Sequence, residues 1–235
     1  GHVASTCPSD QGCSGGKCVA ACQAAGASQG SVGCDYVVST PSFYYPDKPP
    51  CFAVFVANNW PQDVKLTVTR SGTNYDVTSG FARIAQSGQA VGSWATVPST
   101  GIPPGDVAVL FLSSDPASIN NGTSIACPVT PAVSQANGSA VPGSNVSSAS
   151  VTARGAAFHI ATDIPITMYD ILPYGGASSY LPSAELVFPT TAWGTNYLGI
   201  VPPRGTLAFP QWGQIVAAQD GTQVTVFPNV ALPSG

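Results

Sequence analysis

The chain has 235 residues, of which only 8% are charged, and a net charge of −4; about 25% charged is ordinary for a soluble domain. Seven scattered basic residues cannot form a phosphate-tracking stripe, which argues against nucleic-acid binding. Glu, Lys and Met together supply five residues while Gly supplies 25 and Pro 22, arguing against a helical architecture, and 44% hydrophobic content argues against disorder.

The chain starts at Gly1 with no initiator Met and reads as a processed or excised piece of something longer. Its first 34 residues hold Cys7, Cys13, Cys18, Cys22 and Cys34, interleaved with Gly, Ser, Pro and Asp. So little apolar matter cannot fold without staples, which predicts a disulfide-stapled head over residues 1–34 and an oxidising compartment. Zinc is the competing reading; against it stand the absence of a CxxC pair and a single nearby imidazole, His2. Cys51 and Cys127 lie apart, beside apolar runs. Their mutual pairing is the preferred expectation, with Cys34–Cys51 as the rival. An odd count of seven implies an intermolecular bridge or a partner lost by truncation.

Beyond the head, short β-type runs alternate with turn signals over an expected sandwich domain at 35–192. Phe52–Ala57 is apolar throughout, as in a strand covered on both faces. Val64, Leu66 and Val68 alternate with Lys65, Thr67 and Thr69, and Ser71–Gly72 makes the following turn. Pro103–Pro104–Gly105 introduces a second apolar strand, Val107–Leu112. A Ser/Asn/Gly/Pro-rich stretch between Ser113 and Ala153 carries N-x-S/T triplets at Asn121, Asn137 and Asn145, which chance explains in so biased a loop. Ala156, Phe158 and Ile160 alternate with Ala157, His159 and Ala161. Further strands are predicted at Ile164–Leu172, Tyr180–Phe188, Tyr197–Val201, Gln214–Ala218 and Thr222–Val226. The apolar runs reach six residues, where a spanning helix needs roughly 20, so no transmembrane segment is expected. The pattern predicts an all-β fold: an antiparallel β-sandwich of jelly-roll or Ig-like type. A faint echo between VANNWPQDV (Val56–Val64) and VAAQDGTQV (Val216–Val224) marks residues 193–235 as the start of a second, truncated β unit.

Few groups offer chemistry. His2 lies at the terminus, and His159 alternates with apolar neighbours, so a packed, hydrogen-bonded histidine is expected. Paired carboxylates would have to come from Asp163, Asp170 and Glu185. Asp163 reads as a turn former in TDIP, and Asp170 as a buried carboxylate bonded to backbone amides. No GxSxG, HExxH, P-loop or EF-hand loop occurs, and no DxDxD cluster points to Ca²⁺. The expectation is a non-enzyme with no cofactor and no metal. Tyr44, Tyr45 and Trp60 fall in predicted turns and are the candidate ligand contacts, with capping of the core as their structural alternative.

Several stretches together carry a resemblance: TCPSDQGCSGGKCVAAC, SVGCDYVV, CFAVFVANNW, FARI, IPPGDVAVLFL and above all GAAFHIATDIPITMYDILPYGGASSYLPSAELVFPTTAWGTNYLGI. The chain resembles the IgGFc-binding protein N-terminal domain family of bacterial surface proteins, many of them myxobacterial, from the head to about Val226. The resemblance implies a secreted or lipid-anchored cell-surface protein with β-sandwich repeats, extending beyond both ends of this chain and supplying further cysteines to the head. It carries no catalytic motif, and Fc binding belongs to the family's name and is not implied for a bacterial relative. The leading expectation is therefore a non-catalytic extracellular or outer cell-surface module for adhesion, binding a protein or glycan. The alternative is a structural subunit of a surface fibre or sheath, self-associating through β-edge or disulfide contacts. A secreted hydrolase centred on Asp170 and Glu185 is a third reading.

Overall fold

A computed structural model describes residues 6–41, 48–134, 155–176, 182–200 and 213–229. The head opens with the hairpin β1 (Gln11–Ser14) and β2 (Lys17–Ala20), turned by Gly15 and Gly16 at φ 57° and 75°. A left-handed conformation at both central residues is the hairpin turn that glycine permits at no steric cost. The Ala-rich run that follows forms α1 (Ala21–Ser28), a single short helix ended by Gln29 in the left-handed region. It rests on β1 and on the sheet strands β3 and β12 described below.

The sheet strands are β3 (Val32–Val38), β4 (Phe52–Ala57), β5 (Leu66–Arg70), β6 (Thr73–Tyr75), β7 (Ala82–Ile84) and β8 (Val107–Ser114). After a small hairpin of β9 (Ile119–Asn120) and β10 (Thr123–Ser124) come β11 (Val133–Ser134), β12 (Phe158–Leu172) and β13 (Ser183–Val187). Nine of these form one curled sheet, antiparallel at every pairing except β11 with β8. The fold is all-β, as expected. One strand is shared between the two halves of this sheet.

That strand is β12. Its first half pairs with β5 on one edge and β3 on the other; its second half pairs with β4 and β13. The sequence pattern divides it into two strands, with the break at Thr162–Asp163 and Pro165 inside the second. The structure carries it through, with a register shift between Ala161 and Ile166. A proline has no N–H for a ladder and is tolerated at such a bulge. Asp163 is held there by an exchange with Lys65: its carboxylate accepts the Lys65 N–H at 2.8 Å, and its own N–H donates to the Lys65 carbonyl at 3.2 Å. Tyr36 of β3 spans the same irregularity, donating from its hydroxyl to the Ile166 carbonyl at 2.7 Å; burial pushes that hydroxyl up to about 12.

The curl encloses one core. Phe158, Ile160, Ile164, Ile166 and Met168 of β12 meet Val54 and Val56 of β4, Leu66 and Val68 of β5, and Leu110 and Leu112 of β8. The continuous apolar runs of β4 and β8 are explained by a second cluster on the outer face, where Cys51, Ala53, Val109 and Phe111 are fully buried. Val91, Trp94, Val129 and Tyr174 cover it. Tyr174 meets Phe111 edge-on at 4.9 Å between centroids.

Six cysteines pair as Cys7–Cys18, Cys22–Cys34 and Cys51–Cys127. The Cys34–Cys51 rival does not form, since Cys34 fastens α1 to β3. Cys13, read with the others as a bonding cysteine, carries a free, exposed thiol. The strands expected at Tyr197–Val201, Gln214–Ala218 and Thr222–Val226 are absent from the described residues 197–200 and 213–229. Among the described residues their backbone has no partner strand, and Tyr197, Leu198, Ile200, Ile215, Val224, Val226 and Phe227 are exposed.

The Cys51–Cys127 bond closes a span of 76 residues at the edge of the outer cluster. Loop-closure entropy for that span predicts that a Cys51→Ala/Cys127→Ala protein loses about 4 kcal/mol of unfolding free energy in urea titration. An unchanged midpoint would show that the bond constrains nothing.

Candidate binding surface along the long strand

Alternation along β12 sends Phe158, Ile160, Ile166 and Met168 inward and His159, Thr167, Tyr169 and Ile171 outward. The outer face has a continuous cross-strand row, because Val109 pairs with Phe55, Phe55 with Tyr169, and Tyr169 with Leu186. Burial falls along it. Val109 is fully buried, Phe55 is half-buried, and Tyr169 and Leu186 are 45% and 37% exposed. Val32 and Phe188, on either side of the β3–β13 junction, are 39% and 49% exposed. The covering loops stop at the β4 side, and a patch of aromatic and aliphatic side chains continues into solvent. Contiguous apolar surface of this kind marks interaction sites.

The chain after β13 is fastened to β3. Gly33 of β3 leaves room for Pro189; a Cβ there would stand 2.5 Å from the proline's own Cβ. One residue on, the Thr190 hydroxyl donates to Asp35 Oδ1 at 2.7 Å, while Asp35 Oδ2 meets His159 Nε2 at 2.8 Å. His159 is therefore hydrogen-bonded, as expected, but it faces solvent and is not packed inside: its side chain is 46% exposed. The Trp193 indole N–H then donates to the Phe188 carbonyl at 3.0 Å. Three elements, β3, β12 and the strap 188–193, meet at one carboxylate.

On the core-facing side of the same edge, Asp170 and Glu185 stand directly opposite each other in the β12–β13 ladder. Asp170 is flanked by Val54 on its other edge and is half-buried. Burial first, and the Glu185 charge second, push the Asp170 carboxyl up to about 6, opposed by a hydrogen bond from the Glu185 backbone N–H. The expected bond to a backbone amide is present. The like-charge neighbour is the part that sequence spacing does not reveal.

Trp60 is partly buried against the core, and buried Asn58 organises its turn. The Asn58 side chain donates to the carbonyls of Gln62 and Ile102 and accepts the Trp60 N–H at 2.8 Å. The Trp60 indole N–H donates to the Ser9 carbonyl of the head. Trp60 thus joins head to sheet and caps the core, the structural alternative for it. Tyr44, Tyr45 and His2 lie outside the described residues. At the far end of the sheet, Tyr75, Asp76, Ser79, Phe81 and Pro131 line a shallow cleft of about 260 Å³, below the roughly 300–1,000 Å³ of small-molecule pockets. The Asp76 carboxylate is held below its usual range by the N–H and hydroxyl of Thr78. Among the described residues no three His, Cys, Asp or Glu side chains gather in a metal-binding group, and no helix is long and apolar enough to cross a membrane.

Against known proteins, the model of one family matches: IgGFc binding protein, over residues 183–235. The match supports kinship with that family and begins at β13, covering less than a quarter of the chain. No curated protein and no solved structure matches.

Asp170 takes up its proton more readily folded than unfolded, so stability falls as pH rises from about 4 through about 6. Asp170→Asn is expected to raise the unfolding free energy at pH 7.5 by about 1–2 kcal/mol, after discounting for partial contact with water, and to flatten that fall. Urea titrations at pH 4.5 and 7.5 measure both. A variant less stable than the parent at pH 7.5 would mean the carboxylate is held by favourable contacts.

Proposed function

We propose that this chain is a non-catalytic extracellular module that recognises another protein through the outer face of β12 and β13, displayed on a bacterial cell surface as an adhesion element. The observation that carries the reading is the exposed patch of Val32, Tyr169, Leu186 and Phe188, which runs into the segment matched by the IgGFc-binding family. Three disulfides support folding in an oxidising compartment. A chain with few charges and a patch of tyrosine, phenylalanine and aliphatic side chains suits the desolvated centre of a protein interface better than a glycan site. Asp170 owes its raised pKa to burial first and to the Glu185 charge across the ladder second, structural causes that require no catalytic role.

A second reading is favoured by one specific feature. Ile215, Val224, Val226 and Phe227 are exposed on β-patterned backbone that has no partner strand among the described residues. Backbone of this composition can add as a strand to the edge of a neighbouring sheet, as in a fibre or sheath subunit. Light scattering separates the two: concentration-independent monomers oppose the structural reading and regular polymers favour it.

The recognition reading is tested with immobilised immunoglobulin Fc, Fab fragments and a glycan array as probes. The expected result is binding to a protein probe that Tyr169→Ala weakens about tenfold, the loss of one interface anchor. Binding that is indifferent to both Tyr169→Ala and Leu186→Asp, or binding to glycans alone, would overturn it.

A further inference from the structure

At the β1–β2 hairpin of the head stand three sulfurs, Cys7, Cys13 and Cys18, of which two are bonded to each other. Cys13 and Cys18 are paired in the β1–β2 register, one step from the two-residue turn that closes at Ser14–Lys17. Pairs alternate along an antiparallel hairpin, and the pair next to the closing one lacks hydrogen bonds. Its Cα atoms approach to about 4.5 Å with both side chains on one face. That separation lies inside the roughly 4.4–6.8 Å range that disulfides span. Cys18 is bonded to Cys7, while Cys13 is free, and both Cys13 and Cys18 are exposed. A nucleophile is thus stationed across the ladder from one end of an accessible disulfide.

We propose that Cys13 and Cys7 compete for Cys18, so that the head interconverts between two disulfide isomers by internal thiol–disulfide exchange. The Cys13 thiol loses its proton to solvent and its thiolate attacks Cys18 Sγ. The Cys13–Cys18 bond forms as the Cys7–Cys18 bond breaks, and Cys7 leaves as a thiolate that takes up a proton. One disulfide and one thiol are present before and after, so no oxidant or reductant is consumed. The exchange moves the reactive thiol from the hairpin face to position 7. That position lies two residues before Ser9, whose carbonyl is held by Trp60. The odd cysteine is then a mobile attachment point with two addresses and not a fixed leftover.

The test uses the whole chain. Protein incubated without reductant at pH 8.5 is alkylated and acidified, then cut before Asp10 and after Lys17 so that Cys7, Cys13 and Cys18 fall on separate peptides. Mass spectrometry is expected to find alkyl groups on Cys7 as well as Cys13, appearing faster at pH 8.5 than at pH 5 because the thiolate is the attacker. Cys13→Ser abolishes labelling at Cys7. Cys7→Ser contains a Cys13–Cys18 disulfide and no labelled thiol in the head. The proposal is overturned if Cys7 stays unlabelled after a day at pH 8.5 while Cys13 labels fully, or if Cys7→Ser exposes two thiols, at Cys13 and Cys18.

Discussion

A strand paired along both edges gives up its backbone groups to neighbours, and β12 does so with four of them: β5 and β4 on one edge, β3 and β13 on the other. Because β5 and β4 meet different halves of the same strand, the irregularity at Thr162–Pro165 decides how far one half of the sheet turns toward the other. Tyr36 and Asp163 fix that irregularity from opposite sides. The enclosed core follows from it, since Phe158 and Ile160 in one half and Met168 in the other contribute to the same apolar cluster.

The same strand organises the surface. Its outward side chains continue a row that starts in the buried cluster at Val109 and ends in solvent at Leu186. The strap beyond β13 is tied to β3 by Pro189 against Gly33 and by the Thr190–Asp35–His159 chain of hydrogen bonds. Glu185 opposite Asp170 works against the attachment of β13, because like charges directly across a ladder are unfavourable. An inward-pointing charge also discourages unwanted pairing at an edge strand. The strap thus adds a second attachment for β13 beside its ladder, and β13 is the place where the family match begins.

Much of the sheet was legible because its signals are local. The alternation of Val64, Leu66 and Val68 and the turn at Ser71–Gly72 are written in neighbouring residues. The unbroken apolar runs of β4 and β8 announce burial on both faces, and two separate clusters supply it. What escaped depends on partners distant in sequence. Local pattern places Pro165 inside a strand at Ile164–Leu172 but does not show that this strand runs back through Thr162 and Asp163 to Phe158. The Ala-rich helix α1 is outweighed by a chain otherwise poor in helix formers, and it stands because Cys22–Cys34 and the sheet hold it. Tyr197–Val201 and Thr222–Val226 have strand composition, yet composition cannot supply a neighbouring strand. Of the candidate site, Asp170 was visible as an oddity. Its pairing with Glu185, and the meeting of Asp35, His159 and Thr190, are matters of register that no spacing encodes.

Backbone hydrogen exchange on the native protein tests the role given to β12 most directly. If β12 is the common strand of both halves, amides at 159–161 and 168–171 exchange at similar, slow rates and lose protection together as urea is added, while β13 exchanges faster. Independent opening of the two halves of β12, or a β13 as protected as its neighbour, would contradict the account.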